Sequence, residues 1–118
     1  MGSWHLNDLT AATGAPLGLG QVAGYVFDAQ GTQHVAYFGG RHVQELWWDT
    51  TGWHHNDLTE AAGAPDPFGS GPAGYVFDAQ GTQHVVYPSI DNHIHELWWD
   101  TNGWHHNDPT AAAGAPEA

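Results

Sequence analysis

Tryptophan set beside carboxylates, amides and imidazoles is the chemistry that recurs along this chain. Trp47, Trp48 and Trp53 stand within a few residues of Glu45, His54 and Asn56. Trp98, Trp99 and Trp104 stand likewise beside Glu96, His105 and Asn107. An indole face stacks on the C–H face of a sugar ring, and the hydroxyls around that ring need directional partners such as Asn, Glu and His. These twelve residues, in two equivalent sets, are the candidate sugar-binding positions. The same indoles would serve equally as packing between sheets, and both uses stay open, with at least one of Trp47, Trp48 and Trp53 expected at a pocket.

Other chemistries fit the residues less well. His54-His55 and His105-His106 are neighbours on strand-like runs, so each pair points to opposite faces and cannot chelate one ion. His93 and His95 share a face and could hold a metal edge-on. In the earlier repeat, however, His42 has Gln44 rather than a histidine two residues on, and no set of three or four ligands recurs. No dedicated metal and no cofactor is expected. The turns beginning at Asp49 and Asp100 offer one carboxylate each, whereas calcium takes six or more oxygens. Serine is scarce and never lies in a nucleophile elbow. Glu45 and Glu96 occur once per repeat, a pattern of duplicated binding or structure rather than of one active site. The chain is expected to have no catalytic residues and not to be an enzyme.

The elements that must position these residues follow from an internal repeat. WHLNDLT at 4–10, WHHNDLT at 53–59 and WHHNDPT at 104–110 each lead into a small-residue tail ending in Gly-Ala-Pro. Between them lie two copies of GYVFDAQGTQHV, at 24–35 and 74–85, and two of ELWWDT, at 45–50 and 96–101. A period of about 50 residues is that of a propeller blade. Within one repeat, runs at 75–78, 83–87, 93–99 and 104–108 read as strands. The connections between them carry Gly or Pro, Ser, Asp and Asn, as tight turns do. Four strands joined by three tight turns make an antiparallel meander. Large apolar groups on both faces of the third run require cover on both sides. The fold expected is all-β, built of four-stranded propeller blades. A two-sheet sandwich is the alternative that the length also allows.

The chain divides into an extra outer strand and linker (4–16), a first blade repeat (17–65) and a second (66–116). Two blades cannot close a ring, because propellers have about four to eight. A homo-oligomer is therefore expected, a trimer or tetramer giving six or eight blades in a closed ring. The extra WHLNDLT copy suggests closure by strand exchange, with 4–10 completing a blade of another chain. Pro109 stands where the other copies have Leu. Read as part of the last strand, it removes a backbone donor and marks that strand as the one displaced.

Composition removes several partners. The chain of 118 residues has one Lys or Arg against thirteen Asp and Glu, a formal charge of −12, so no basic patch can neutralise phosphates or an anionic membrane surface. No nucleic acid and no membrane insertion is expected. Cys is absent, which removes disulfides and thiolate chemistry. With 41% hydrophobic and only 12% charged residues the chain should fold. Protonating all ten His would take the charge from −12 to −2, so oligomer size and solubility are expected to change between about pH 7 and pH 5. No signal peptide or other address assigns a compartment.

The tandem motifs ELWW and GWHHNDLT, with GYVFDAQGTQHVVY and the AAGAP tail, resemble the repeat of the Photorhabdus-type seven-bladed β-propeller lectins over nearly the whole chain, 4–116. That resemblance implies a multivalent lectin that takes L-fucose-type glycans in pockets between adjacent blades. The family has seven blades in one chain and this chain about two, so its near-identical copies are expected to be a fragment of such a repeat protein or a design derived from one. The alternative is an engineered, symmetric, self-assembling propeller scaffold with incidental ligand binding or none.

Overall fold

The structure, a computed structural model, describes residues 2–117, the side chain of Leu19 excepted. It is mostly β. A short helix α1 (Leu9–Thr13) precedes β1 (Gly18–Phe27), β2 (Thr32–Gly39), β3 (His42–Asp49) and β4 (Gly52–Asp57). Helix α2 (Leu58–Ala62) then leads to β5 (Ala73–Phe77), β6 (Thr82–Pro88), β7 (Ile94–Asp100) and β8 (Gly103–Asn107), and α3 (Pro109–Ala113) closes the chain. The strands form two four-stranded antiparallel meanders, β1-β2-β3-β4 and β5-β6-β7-β8.

The turns explain the hairpins. In both Asp-Ala-Gln-Gly connections the last residue, Gly31 or Gly81, has φ near +70° and donates its N–H to the carbonyl of Phe27 or Phe77 at 3.0 Å. A side chain there would be strained. Register then places Tyr25 opposite His34, His34 opposite Trp47 and Trp47 opposite His54. The second sheet repeats the row with Tyr75, His84, Trp98 and His105.

The small-residue tails hold a feature that periodicity does not reveal. Asp8, Asp57 and Asp108 are N-caps whose carboxylates accept the N–H of Ala11, Glu60 and Ala111, and Gly14, Gly63 and Gly114 end the five-residue helices in the left-handed conformation. The tail is then tied forward to the next sheet. The Tyr37 hydroxyl donates to the Pro16 carbonyl at 2.7 Å, and Tyr87 donates to Pro65 at 2.8 Å.

Of two expectations about the end strands, the first turns on a partner copy and the second is corrected here. Residues 4–8 form no strand, and Trp4 and Leu6 are fully exposed. The outer edge of the first sheet is held by the chain's own β4, so the extra copy has no ladder to join within one chain. Pro109 lies past β8, at the first turn of α3, where a helix has no intrahelical use for the missing N–H. It removes no ladder bond, and β8 stays paired with β7 through five residue pairs from Glu96–Asn107 to Asp100–Gly103.

The core lies between the two sheets. Ala36, Phe38, Val43 and Leu58 of the first repeat meet Val85, Tyr87 and Leu97 of the second. The faces that meet are not equivalent. The first sheet presents the face of Tyr25, Phe27, His34 and Phe38, and the second presents the opposite face, that of Gln83, Val85, Tyr87 and Trp99. The stacking is head-to-tail, and it leaves each repeat with one unmatched face outward.

Candidate functional site

Head-to-tail stacking opens a cleft of about 450 Å³ between the sheets. The first sheet supplies Thr32 and His34 from β2, Glu45, Trp47 and Asp49 from β3, and Asn56 from β4, with Gln30 from the turn before β2. The second sheet closes it with Gln83, Trp99 and Trp104. Alternation puts Glu45, Trp47 and Asp49 on one face of β3, and cross-strand register brings Asn56 opposite Glu45.

The polar wall is a connected series. Gln30 and Thr32 meet at 3.1 Å, Thr32 Oγ1 and His34 Nε2 at 2.8 Å, and His34 Nδ1 and Glu45 Oε2 at 2.8 Å. His34 and Glu45 are buried, their side chains 3% and 4% exposed. The ring of Tyr25 stacks on His34 at 5.0 Å, and its hydroxyl crosses to Gln83 Oε1 at 2.9 Å. Burial above all, then the Glu45 charge, pushes that hydroxyl well above its ordinary pKa. The other walls are aromatic. Trp47 stacks on His54 at 4.3 Å, and Trp99 meets the edge of Phe27 at 6.1 Å. At the rim, Asp49 Oδ1 accepts from Thr51 Oγ1 at 2.6 Å and lies 3.0 Å from His54 Nε2. The Thr51 bond first, then that from His54, holds its pKa down at about 2.

The sequence candidates separate into four groups. Glu45, Trp47, Asn56, Trp99 and Trp104 line the cleft. His54 and His105 stand behind, each stacked on a tryptophan, Trp47 or Trp98, and bonded to a turn aspartate, Asp49 or Asp100. Glu96, Trp98 and Asn107 repeat the arrangement of Glu45, Trp47 and Asn56 on the outward face of the second sheet. Trp48 and Trp53 sit opposite one another on the outward face of the first sheet, as Trp99 and Trp104 do on the face that closes the cleft. The sequence reading missed Gln30, Thr32, His34, Asp49 and Gln83. The repeated QGTQH string carried four of those five, but only the register against β3 shows that His34 faces Glu45.

The second repeat therefore holds half of a site. Thr82, His84 and Glu96 reproduce the polar series at 2.7 Å and 2.7 Å, and Tyr75 stacks on His84 at 5.0 Å. No described residue covers them as the second sheet covers the first. Phe77 is 47% exposed where its equivalent Phe27 is 2% exposed.

A different cluster lies at the other end of the second sheet. Asp91, His93, His95 and Asp108 each offer a ligand-type atom, all within 4.8 Å of one another. The sequence paired His93 with His95. It did not reveal Asp91 in the β6–β7 turn or Asp108, fifteen residues away at the cap of α3. Hydrogen bonding from Ser89 above all lowers the Asp91 pKa, and the bond to Asp108 above all raises that of His93.

Fold and site together define a mostly β protein of two stacked four-stranded antiparallel sheets with an aromatic and polar cleft between them. No protein-family model and no curated protein matches this chain.

Proposed function

We propose that the protein is a multivalent carbohydrate-binding lectin of L-fucose type, formed by a ring of three or four copies that gives six or eight propeller blades. The observation that carries this reading is the cleft between the sheets. Trp47 and Trp99 come from different sheets, and the buried His34–Glu45 pair holds a polar wall beside them. Such a space suits a neutral pyranose, with indole against its C–H face and Glu45, Asn56 and Gln30 within reach of hydroxyls. The motif resemblance to the Photorhabdus-type lectins supports the choice of fucose.

The unmatched outer faces support the ring. A second copy can set Trp48 and Trp53 over the outward Glu96, Trp98 and Asn107, completing there the cleft that one chain builds once. A head-to-tail contact of this kind generates a ring when its rotation closes and an open filament when it does not. Equivalent weak sites around one assembly gain apparent affinity on a glycan-bearing surface.

Native mass spectrometry of the full chain, with and without L-fucose, tests the reading. A trimer or tetramer carrying several sugar adducts is the expected result. A closed ring without adducts would leave the self-assembling scaffold in its place. A monomer that binds no sugar would remove both the ring and the lectin.

A further inference from the structure

We propose that Asp91, His93, His95 and Asp108 form a binding site for one divalent transition-metal ion of the zinc type, independent of the sugar cleft. Two imidazoles and two carboxylates are a donor set that Zn²⁺ accepts and that Ca²⁺ or Mg²⁺, which take oxygen ligands, does not favour.

The distances suit a small ion. His93 Nδ1 lies 2.7 Å from Asp108 Oδ2, His95 Nε2 lies 2.8 Å from Asp91 Oδ2, and His95 Nε2 lies 3.8 Å from Asp108 Oδ2. Tetrahedral ligands on bonds of about 2.0–2.1 Å stand roughly 3.3 Å apart, so each of these separations needs to change by only about half an ångström. The set is anchored on one side and open on the other. The His95 side chain is 3% exposed, while those of Asp91 and Asp108 are 42% and 27% exposed, which gives an ion a way in from solvent.

The supporting shell is present as well. His95 Nδ1 lies 2.7 Å from His106 Nε2, so an ion on Nε2 leaves Nδ1–H to donate to His106. Asp91 Oδ1 accepts the Ser89 hydroxyl and the His93 N–H, and Asp108 Oδ1 accepts the Ala111 N–H. In each carboxylate one oxygen is fixed by the protein and the other points into the cluster. Ligands held in this way are typical of built metal sites.

The first repeat shows that the cluster is not a by-product of the fold. There His42 and Asp57 keep the same pairing, at 2.6 Å, and Val43 N donates to Thr59 as Ile94 N donates to Thr110. Gly40 stands in the place of Asp91 and Gln44 in the place of His95. Gln44 meets His55 at 2.6 Å as His95 meets His106. The fold needs only the His–Asp pair and a partner for the last histidine. The second repeat adds both remaining ligands together.

Isothermal titration of the metal-free full chain with Zn²⁺, beside the absorption spectrum of bound Co²⁺, tests this. One Zn²⁺ per chain is expected to bind more tightly than any other site among the ten His, with a tetrahedral Co²⁺ spectrum and a raised melting temperature. H95Q, which installs the first repeat's residue, and D91N, on the exposed turn, should each weaken that site by at least 10–100-fold, the loss typical of even an outer-shell partner. H42Q should leave it unchanged. Equal Zn²⁺ affinity and stoichiometry in wild type and in a D91N protein of native circular dichroism would overturn the proposal. So would several equivalent weak sites in place of one. The readout is per chain and needs neither sugar binding nor a ring.

Discussion

The ring of Tyr25 occupies the space a side chain on Gly74 would need: a Cβ built on Gly74 falls 2.5 Å from Tyr25 Cε1. Tyr25 belongs to the first sheet and Gly74 to the first strand of the second, so this contact sets how closely the sheets approach. The equivalent Gly24 is open, its nearest neighbour being the His34 carbonyl at 3.9 Å. Tyr75, the counterpart of Tyr25, is 45% exposed, and no described residue of another sheet covers it.

Gly74→Ala should therefore destabilise the chain by about 1–3 kcal/mol, the usual cost of overpacking a close contact. Gly24→Ala should leave the stability of the single chain nearly unchanged. If copies stack as the two sheets do, Tyr75 of one copy lies on Gly24 of the next, and Gly24→Ala should shift the oligomer toward monomer. Urea melts give the first comparison and native mass spectrometry the second. Equal melts for the two variants would contradict the packing role of Gly74, and an unaltered oligomer in Gly24→Ala would count against this mode of assembly.

The buried pair on the cleft wall gives a second contrast. Removing His34 leaves the Glu45 carboxyl buried without its 2.8 Å partner, a loss of about 1–3 kcal/mol or more. The same change at His84 meets Glu96 on a partly open face, with side-chain exposures of 9% and 16% against 3% and 4%. Water can replace the lost partner there. His34→Ala should thus cost more than His84→Ala in denaturant melts, and the opposite order would show that the second site is already covered.

Much of the architecture was legible in the sequence. The repeated turn glycines and the alternation in GYVFDAQGTQHV mark the hairpins, while the register that brings His34 to Glu45 shows only in the folded sheet. The parity of Trp47 and Trp48 also shows that the two face opposite ways. Which face the neighbouring sheet covers is not encoded locally, because it depends on how Tyr25 and Phe38 dock on Gly74 and Tyr87. The helices were missed for another reason. Five residues are too short for a 3.6-residue period to show, and they persist through their Asp caps and Gly ends. The Asp91–Asp108 cluster was hidden because its members come from a turn, a strand and a helix cap.

Acid should spare the β3–β4 turn. The Asp49 carboxylate is held at a pKa of about 2 by Thr51 and then His54, below the ordinary value of about 3.9. A depressed carboxylate contributes stability that is fully present above its unfolded pKa and lost as pH falls through its folded one. The contribution of Asp49 is thus complete above about pH 4 and fades toward pH 2. Carbonyl-carbon NMR should find its midpoint near 2, and Asp49→Asn should flatten the loss of stability between pH 4 and 2. A midpoint near 3.9 would mean that the Thr51 bond does not form in solution.

The two kinds of cleft predict a stoichiometry. In a ring, each chain owns one cleft between its own sheets, with Trp47 facing Trp99, and shares a second at the joint, where Trp98 faces Trp48 of the next copy. Trp47→Ala removes the stacking wall of the first alone. It should weaken that cleft about tenfold, roughly 1.4 kcal/mol, and leave the joint intact. Fucose titration should fall from two sites per chain toward one of unchanged affinity. Gly24→Ala acts on the joint instead, so its monomer should keep the Trp47–Trp99 cleft and bind one sugar. Loss of both sites in Trp47→Ala with the ring intact would mean that the clefts are coupled, and no loss at all would place the sugar elsewhere.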